Sequence, residues 1–390
     1  MSHTVGFVIV SGEFGGAETV VYNVLDRLSS RRSDLTLFAN TVVADEFREI
    51  DSLRVVDIGD IPYHSYRSYL GLDQGYAAAQ SIIGETCRNE EIDALVYNLP
   101  GTLFLRPEHT NLSEIFVMHG AMGFDVDERP ESSSLLDRES RSGLRSRLLS
   151  AVRRNVNTKE VATVDHVILT CNYFGQLLDR RGVSVERTVI PNGVDPAIVY
   201  DRREVVDITE PTVCYIGGAR NVKGWDLLVQ AIDRLADDRD SLTVYVLRDV
   251  PQDHQMRQYL ARRGVRDHVE FVGYVDRETY LDYLFSCDVF CLPSYSESIP
   301  ASALDAVALG KPIVATDVGG TSEVVTHEGN GYLCDPTPSS VAAGIEYFLD
   351  DVRRMRRASR ASFELVERFC WQTVVDQYER CLRERLTEES

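Results

Sequence analysis

The chain is poor in lysine, in paired cysteines and in long apolar runs, and each shortage removes a class of protein. Only Lys159, Lys223 and Lys311 are lysines among 41 cationic residues, which face 61 acidic ones for a net charge of −20. So acidic a chain repels phosphate-rich polymers, which argues against a general nucleic-acid binder. The arginine bias fits a salt-adapted organism or a GC-rich genome, and composition leaves both open. No apolar stretch approaches the ~18 residues of a membrane-spanning helix, and Met1–Val10 lacks the basic region and apolar run of a signal peptide. A cytoplasmic protein is expected. The eight cysteines (Cys87, Cys171, Cys214, Cys287, Cys291, Cys334, Cys370 and Cys381) form no CxxC pair. Cys287 and Cys291 have no neighbouring His or Cys to complete a zinc site, so buried free thiols and no metal are expected.

What remains is ordinary globular material. With 390 residues, 44% of them hydrophobic, two or three cores are affordable. Apolar runs of strand length recur at Val5–Val10, Leu35–Asn40, Val55–Ile58, Ala94–Asn98, Ile115–Met118, Val167–Cys171 and Thr188–Ile190. A second series follows at Val213–Gly217, Leu242–Leu247, Val269–Val272, Val289–Leu292, Pro312–Ala315 and Gly331–Cys334. Near-continuous apolar strands alternating with helical stretches predict parallel sheets covered on both faces. Thirteen strands exceed the usual ~6 of one sheet, so two such domains are expected, divided near Pro191-Asn192-Gly193. Tyr63, Tyr66, Tyr69 and Tyr76 cluster where a loop enters a helix, and Gly123–Ser150 reads as a long polar loop followed by a helix.

Four places carry residues suited to chemistry. The first strand runs into a glycine loop containing Gly15 and Gly16 before a helix, where amides and the positive helix end suit phosphate or sugar oxygens. The spacing is neither GxGxxG nor a P-loop, and a tight turn explains it equally well. His119 closes the strand Ile115–Met118, at the strand end where open sheets bind ligands, although a lone histidine is more often structural. Arg220 and Lys223 follow the glycine turn after Val213–Gly217 and suit a diphosphate. The richest segment spans Val289 to Glu323. A buried strand ends at Pro293, a polar loop carries Glu297, Pro300 opens a helix, and a later strand ends in Gly319-Gly320 with Glu323 behind. Asp305 lies eight residues past Glu297, and helical rise predicts ~12 Å between them on nearly the same side. Two carboxylates so placed suit hydroxyls of two different sugar rings.

These motifs resemble those of the group 1, family 4 glycosyltransferases. The family pattern of a Glu, seven residues, a second Glu, Gly, Pro and Gly-Gly-x-x-Glu runs here from Glu297 through Asp305, Gly310, Pro312 and Gly319-Gly320 to Glu323. Gly15-Gly16-Ala17-Glu18, His119-Gly120 and Pro191-Asn192-Gly193-Val194-Asp195 resemble its other signatures. The resemblance implies a GT-B fold of two facing Rossmann-like domains with a cleft between them. It implies an acceptor-binding domain over 1–190, a nucleotide-sugar-binding domain over 191–365, and a helix over 366–390 packing back towards the first. It further implies retaining transfer from a UDP- or GDP-linked sugar to a glycan or lipid-linked acceptor, with no other cofactor. Glu297 would contact the donor sugar, Asp305 the ribose, Lys223 the diphosphate, amides near Gly319-Gly320 the donor oxygens, Gly16 the diphosphate, and His119 the sugar or leaving group. Two positions depart from the pattern. Asp305 is one methylene shorter than the family's Glu, and the family's Arg after the strand glycine falls on Gly218, leaving Arg220 as its replacement. Those departures keep open a non-catalytic partner subunit, and the architecture also suits a nucleotide-sugar epimerase. A basic stretch over 138–154, interleaved with leucines, suits peripheral contact with anionic lipid.

Overall fold

The computed structural model describes residues 3–12, 14–61, 74–107, 112–121, 154–206, 209–217, 221–239, 241–248 and 253–387. Tyr63, Tyr66, Tyr69, Gly218, Arg220, the loop Gly123–Ser150 and nearly all of the basic stretch over 138–154 lie outside them.

Each expected apolar run holds one strand. The first seven are β1 (Thr4–Ile9), β2 (Leu35–Ala39), β3 (Arg54–Asp57), β4 (Ile92–Asn98), β5 (Ser113–Met118), β6 (His166–Leu169) and β7 (Glu186–Val189). The next six are β8 (Thr212–Ile216), β9 (Thr243–Leu247), β10 (Val269–Gly273), β11 (Val289–Leu292), β12 (Ile313–Thr316) and β13 (Gly331–Cys334). They form a seven-stranded sheet in the order β3-β2-β1-β4-β5-β6-β7 and a six-stranded sheet in the order β10-β9-β8-β11-β12-β13. Neighbouring strands are parallel in both sheets. Most strand residues are buried, as sheets covered on both faces require.

The described residues divide into two compact units, the first formed by those up to Asn192 together with those from Trp371 onward, the second by Gly193–Cys370. In each sheet the strand order reverses beside its first strand, between β1 and β4 and between β8 and β11. At such a switch point the connections leave in opposite directions and open a crevice at the strands' carboxyl ends.

The first unit takes its last helix, Trp371–Thr387, from the far end of the chain. Trp371, Val374, Val375, Tyr378, Cys381, Leu382 and Leu386 join one core with Phe7, Val24, Leu25 and Leu28. In the second unit, the helices Trp225–Asp238 and Pro338–Leu349 pack Leu228, Ile232, Leu235, Val341 and Ile345 into the core that includes Val213, Val244 and Val289. Segments entering and leaving this unit are paired, with Val194 N–H donating to the carbonyl of Phe369 at 2.8 Å. No helix among the described residues is long and apolar enough to cross a membrane.

Leu382 has no exposed surface, so Leu382→Ala should destabilise the first unit by about 3 kcal/mol, the scale of a buried Leu→Ala cavity. Arg383→Ala, one residue on and solvent-facing, should change it by less than about 0.5 kcal/mol. Urea unfolding of both variants checks this.

Candidate active site

In the second unit the site is assembled from three strand ends. After β8 the chain passes through the turn Asn221–Lys223 to Gly224, which caps the helix Trp225–Asp238. Gly224 has φ +66°, and a Cβ there would stand 1.8 Å from the carbonyl oxygen of Pro293, just past β11. Only glycine meets both conditions. Tyr295 then ties the two turns together. Its amide donates to the carbonyl of Val222 at 2.7 Å, and its hydroxyl donates to Asp226 Oδ2 at 2.9 Å in a buried pair.

This stitching brings Lys223 to Glu297 across 74 residues of sequence. Lys223 Nζ lies 2.7 Å from Glu297 Oε1, and Ser294 Oγ donates to the same oxygen at 2.6 Å. The Glu297 side chain is 8% exposed and that of Lys223 31%, so one ammonium and one hydroxyl meet the carboxyl group in a largely desolvated place. Both bonds use Oε1, and Oε2 has no partner among the described residues. The pair straddles the β8/β11 switch point, where a parallel sheet binds ligands.

β12 supplies the floor. Thr316 Oγ1 donates to the carbonyl of Ser294, and Gly320 N–H donates to the carbonyl of Glu297 at 3.2 Å. Gly319 has φ +60°, and a Cβ there would lie 1.9 Å from that same carbonyl oxygen. The Gly-Gly pair was expected to offer its amides to donor oxygens. Gly320's is taken by Glu297 instead, and the glycines serve first to seat the glutamate. Glu323 is half-buried on the short turn Thr321–Glu323.

Asp305 stands apart from this group. Glu297 lies in the loop before the helix Ala301–Ala308, so a helical rise does not connect the two carboxylates as the spacing suggested. Asp305 is 4% exposed and held by a two-point pair with Arg277, Nη1 to Oδ2 and Nη2 to Oδ1, both 2.7 Å. Tyr280 adds a hydroxyl bond to Oδ2 at 3.0 Å. A ribose hydroxyl there competes with a bidentate guanidinium.

In the first unit, Gly15 precedes the helix Gly16–Ser29, and its amide donates to the carboxylate of Glu18 at 3.0 Å. That N–H, expected to face a ligand, is already capped by an acid. A Cβ on Gly16 would meet nothing within 4 Å, so open space lies beside it. Asn40, at the end of β2, pins the loop after β1: Ser11 N–H donates to its Oδ1 at 3.0 Å, and its Nδ2 donates to the Ser11 carbonyl at 2.8 Å. His119 sits one residue past β5, with Nε2 3.2 Å from Asn98 Oδ1 at the end of β4. His119 keeps some exposed surface, yet its Nδ1 is shielded from solvent and unpartnered. Desolvation pushes its pKa down to about 4, so the ring is neutral near pH 7.

Sequence reasoning missed Ser294, Tyr295, Asp226, Thr316, Arg277, Tyr280, Asn40 and Asn98. Apart from Ser294, which precedes Glu297 by three residues as a capping serine would, the contacts just described join residues 21 to 73 apart and leave no local pattern.

With this geometry in view, comparison with known proteins is decisive. The profile of the family described as Glycosyltransferase Family 4 matches residues 14–198, and that of Glycosyl transferases group 1 matches residues 200–364. The chain belongs to this glycosyltransferase family. A D-inositol 3-phosphate glycosyltransferase of Geodermatophilus obscurus is 32% identical over 235 residues, 55% of this chain and 52% of that protein. The chain spans about half the length of the curated relatives it matches. Among solved structures, a sucrose-phosphate synthase from Thermosynechococcus elongatus superimposes over 100% of both chains with a TM-score of 0.78 at 19% identity. HepE of Anabaena, solved with UDP-glucose, does so over 98% of this chain and 100% of its own, with a TM-score of 0.72 at 17% identity. The fold is GT-B.

Gly319→Ala should destabilise the second unit by at least about 2 kcal/mol, because a left-handed φ and a backbone clash combine. Gly16→Ala, with open space around it, should stay within about 1 kcal/mol. Guanidinium unfolding separates the two. His119 holds a proton less readily folded than unfolded, so the unfolded state gains protons first as pH falls from 6.5 towards 4. Stability should therefore drop over that window by up to about 3 kcal/mol, at ~1.4 per pH unit. His119→Asn should lose that part of the slope in urea titrations at each pH.

Proposed function

We propose that the chain is a retaining glycosyltransferase that moves a sugar from a UDP- or GDP-linked donor to a hydroxyl of a glycan or lipid-linked acceptor. The Lys223–Glu297 pair at the β8/β11 switch point carries this reading. When the bond from the anomeric carbon to the diphosphate breaks, negative charge grows on the leaving phosphate. An ammonium has three donors, so Lys223 can keep Glu297 and still turn one N–H towards that phosphate. Such a preorganised charge stabilises the transition state without reorganising. Oε2 of Glu297, without a partner among the described residues, suits a hydroxyl of the donor sugar. Retention follows from front-face substitution: the acceptor oxygen bonds to the anomeric carbon on the side the diphosphate leaves, and its proton passes to a phosphate oxygen. HepE, solved with UDP-glucose, supports a nucleotide-sugar donor, and the relative named for D-inositol 3-phosphate supports a hydroxyl acceptor.

A second reading, a subunit that binds nucleotide without turnover, is favoured by Asp305, whose carboxylate is occupied by Arg277 and Tyr280. The proposal also includes peripheral contact with anionic lipid through residues 138–154, which flotation with anionic vesicles and charge-reversed variants tests. Equal flotation of variant and wild type refutes it.

Incubation with a panel of UDP- and GDP-sugars should release nucleoside diphosphate only when acceptor is present. Lys223→Ala should then slow transfer by about 10²-fold or more, the scale of losing one transition-state charge contact. A rate within threefold of wild type sinks the assignment. Glu297→Gln should lower turnover while Tm stays nearly constant, since an amide still accepts from Lys223 and Ser294. Nucleotide-induced thermal stabilisation with no turnover for any donor supports the second reading.

A further inference from the structure

The helix Val352–Leu365 of the second unit reverses the charge of the chain that carries it. It holds five arginines in a protein whose net charge is −20. Its inner side is anchored. Ala358 joins the core of the unit, and Ser362 is buried with its hydroxyl donating to the carbonyl of Lys311 at 3.3 Å. The exposed positions Val352, Arg353, Arg356, Arg357, Arg360 and Phe363 fall mostly three or four apart, so they share one face. At ~1.5 Å per residue that face runs for ~16 Å. Glu364, at its end, is the one acid of the helix.

The positive charge on this face is largely unmatched. Arg356 and Arg360 have no partner among the described residues. Arg357 donates to two neutral oxygens, the carbonyl of Glu328 at 3.2 Å and the hydroxyl of Tyr347 at 3.0 Å. Arg353 meets Asp351 at 3.2 Å, and an ion pair so open to water is weak. The apolar members are exposed beside these charges, Val352 by 52% and Phe363 by 45%. The Phe363 ring is seated against Gly310, where φ is +66° and a Cβ would stand 2.5 Å from two ring carbons. A helical turn of about 100° per residue puts Val352, Arg356 and Phe363 along one edge of the face and the other arginines beside them.

Guanidinium groups pair with phosphate oxygens at two points. Arginines next to exposed aliphatic and aromatic side chains suit a bilayer interface, with cations at the headgroups and apolar groups at the acyl boundary. A soluble polyanion would satisfy the arginines and gain nothing from Val352 and Phe363. We infer that this face of the second unit docks on an anionic lipid surface, with Arg356 and Arg360 on headgroup phosphates and Val352 and Phe363 at the acyl boundary. The contact is separate from the one proposed for residues 138–154 and does not depend on the transferase reading.

Val352→Trp in the full chain places a reporter on this face, since Trp225 and Trp371 are buried. Vesicles of phosphatidylglycerol and phosphatidylcholine in equal parts should shift its fluorescence to the blue, and lipids brominated on the acyl chain should quench it. Pure phosphatidylcholine should do neither. No shift with the anionic vesicles, or an equal shift with the neutral ones, overturns the inference. Adding Arg356→Gln and Arg360→Gln should weaken vesicle binding about tenfold or more, the scale of losing two basic side chains at a charged surface. Binding within about twofold of the parent overturns the role of these arginines. Should that variant not fold, the salt response of Val352→Trp decides. Raising salt from about 0.05 to about 0.5 M should weaken binding at least about tenfold, and a flat response overturns electrostatic docking. A blue shift produced by dextran sulfate without vesicles identifies a soluble polyanion, and one produced by raising protein concentration alone identifies a second copy of the chain. Either overturns the lipid assignment. Flotation with no signal from position 352 leaves the contact of residues 138–154 standing and sinks this one.

Discussion

The second unit is organised around one ion pair. Burying a carboxylate to 8% exposure is unfavourable unless its charge is met, and Glu297 has one ammonium and one hydroxyl to meet it. A carboxylate left there without its ammonium would carry that desolvation cost unmet, so everything that aligns Lys223 with Glu297 is under the same constraint. Gly224 lets the lysine turn approach Pro293, Tyr295 and Asp226 hold the two turns together, and Gly319 leaves room for the Glu297 carbonyl. None of these touches the pair's charges. They act by fixing two backbone turns that the sheet places side by side because β8 and β11 are neighbours.

The first unit solves the same geometric problem with neutral groups. Its switch point lies between β1 and β4, and buried asparagines stand at the ends of β2 and β4. Asn40 closes a reciprocal pair with the Ser11 backbone, and Asn98 faces His119. An amide donates and accepts at fixed positions without the desolvation penalty of a charge, so it positions a loop or ring with less electrostatic consequence. The contrast is chemical: a charged partner set suits a leaving diphosphate, and a neutral one suits hydroxyls.

The fold was legible in the sequence because its signal is local. Thirteen apolar runs became thirteen strands among the described residues, as each central parallel strand must be apolar on both faces. The site was legible where function coincides with punctuation. Gly319, Gly320, Gly224 and Pro300 interrupt apolar pattern, and Glu297 and Lys223 lie beside them. What was hidden is the pairing. Nothing in the sequence around Arg277 indicates that its guanidinium closes on Asp305 28 residues away, and nothing around Tyr295 marks Asp226, 69 residues back. Asp305 is separated from Glu297 by a related feature, because Glu297 lies in the loop before the helix Ala301–Ala308 and not on it. Seven residues measure a distance only when the backbone between them is one element.

The scarcity of lysine sharpens the functional reading. In a chain that otherwise uses arginine, two of the three lysines make single-point contacts. Lys311 donates to the carbonyl of Cys287 at 2.8 Å with its Nζ 5.3 Å from the centre of the Phe285 ring, and burial pushes its pKa down. Lys223 meets a single carboxylate oxygen at 2.7 Å. Both are point contacts, whereas Arg277 meets Asp305 with a two-point fork. An ammonium on one carboxylate oxygen can turn its remaining N–H groups towards a second anion, a freedom that a guanidinium committed to a two-point pair lacks.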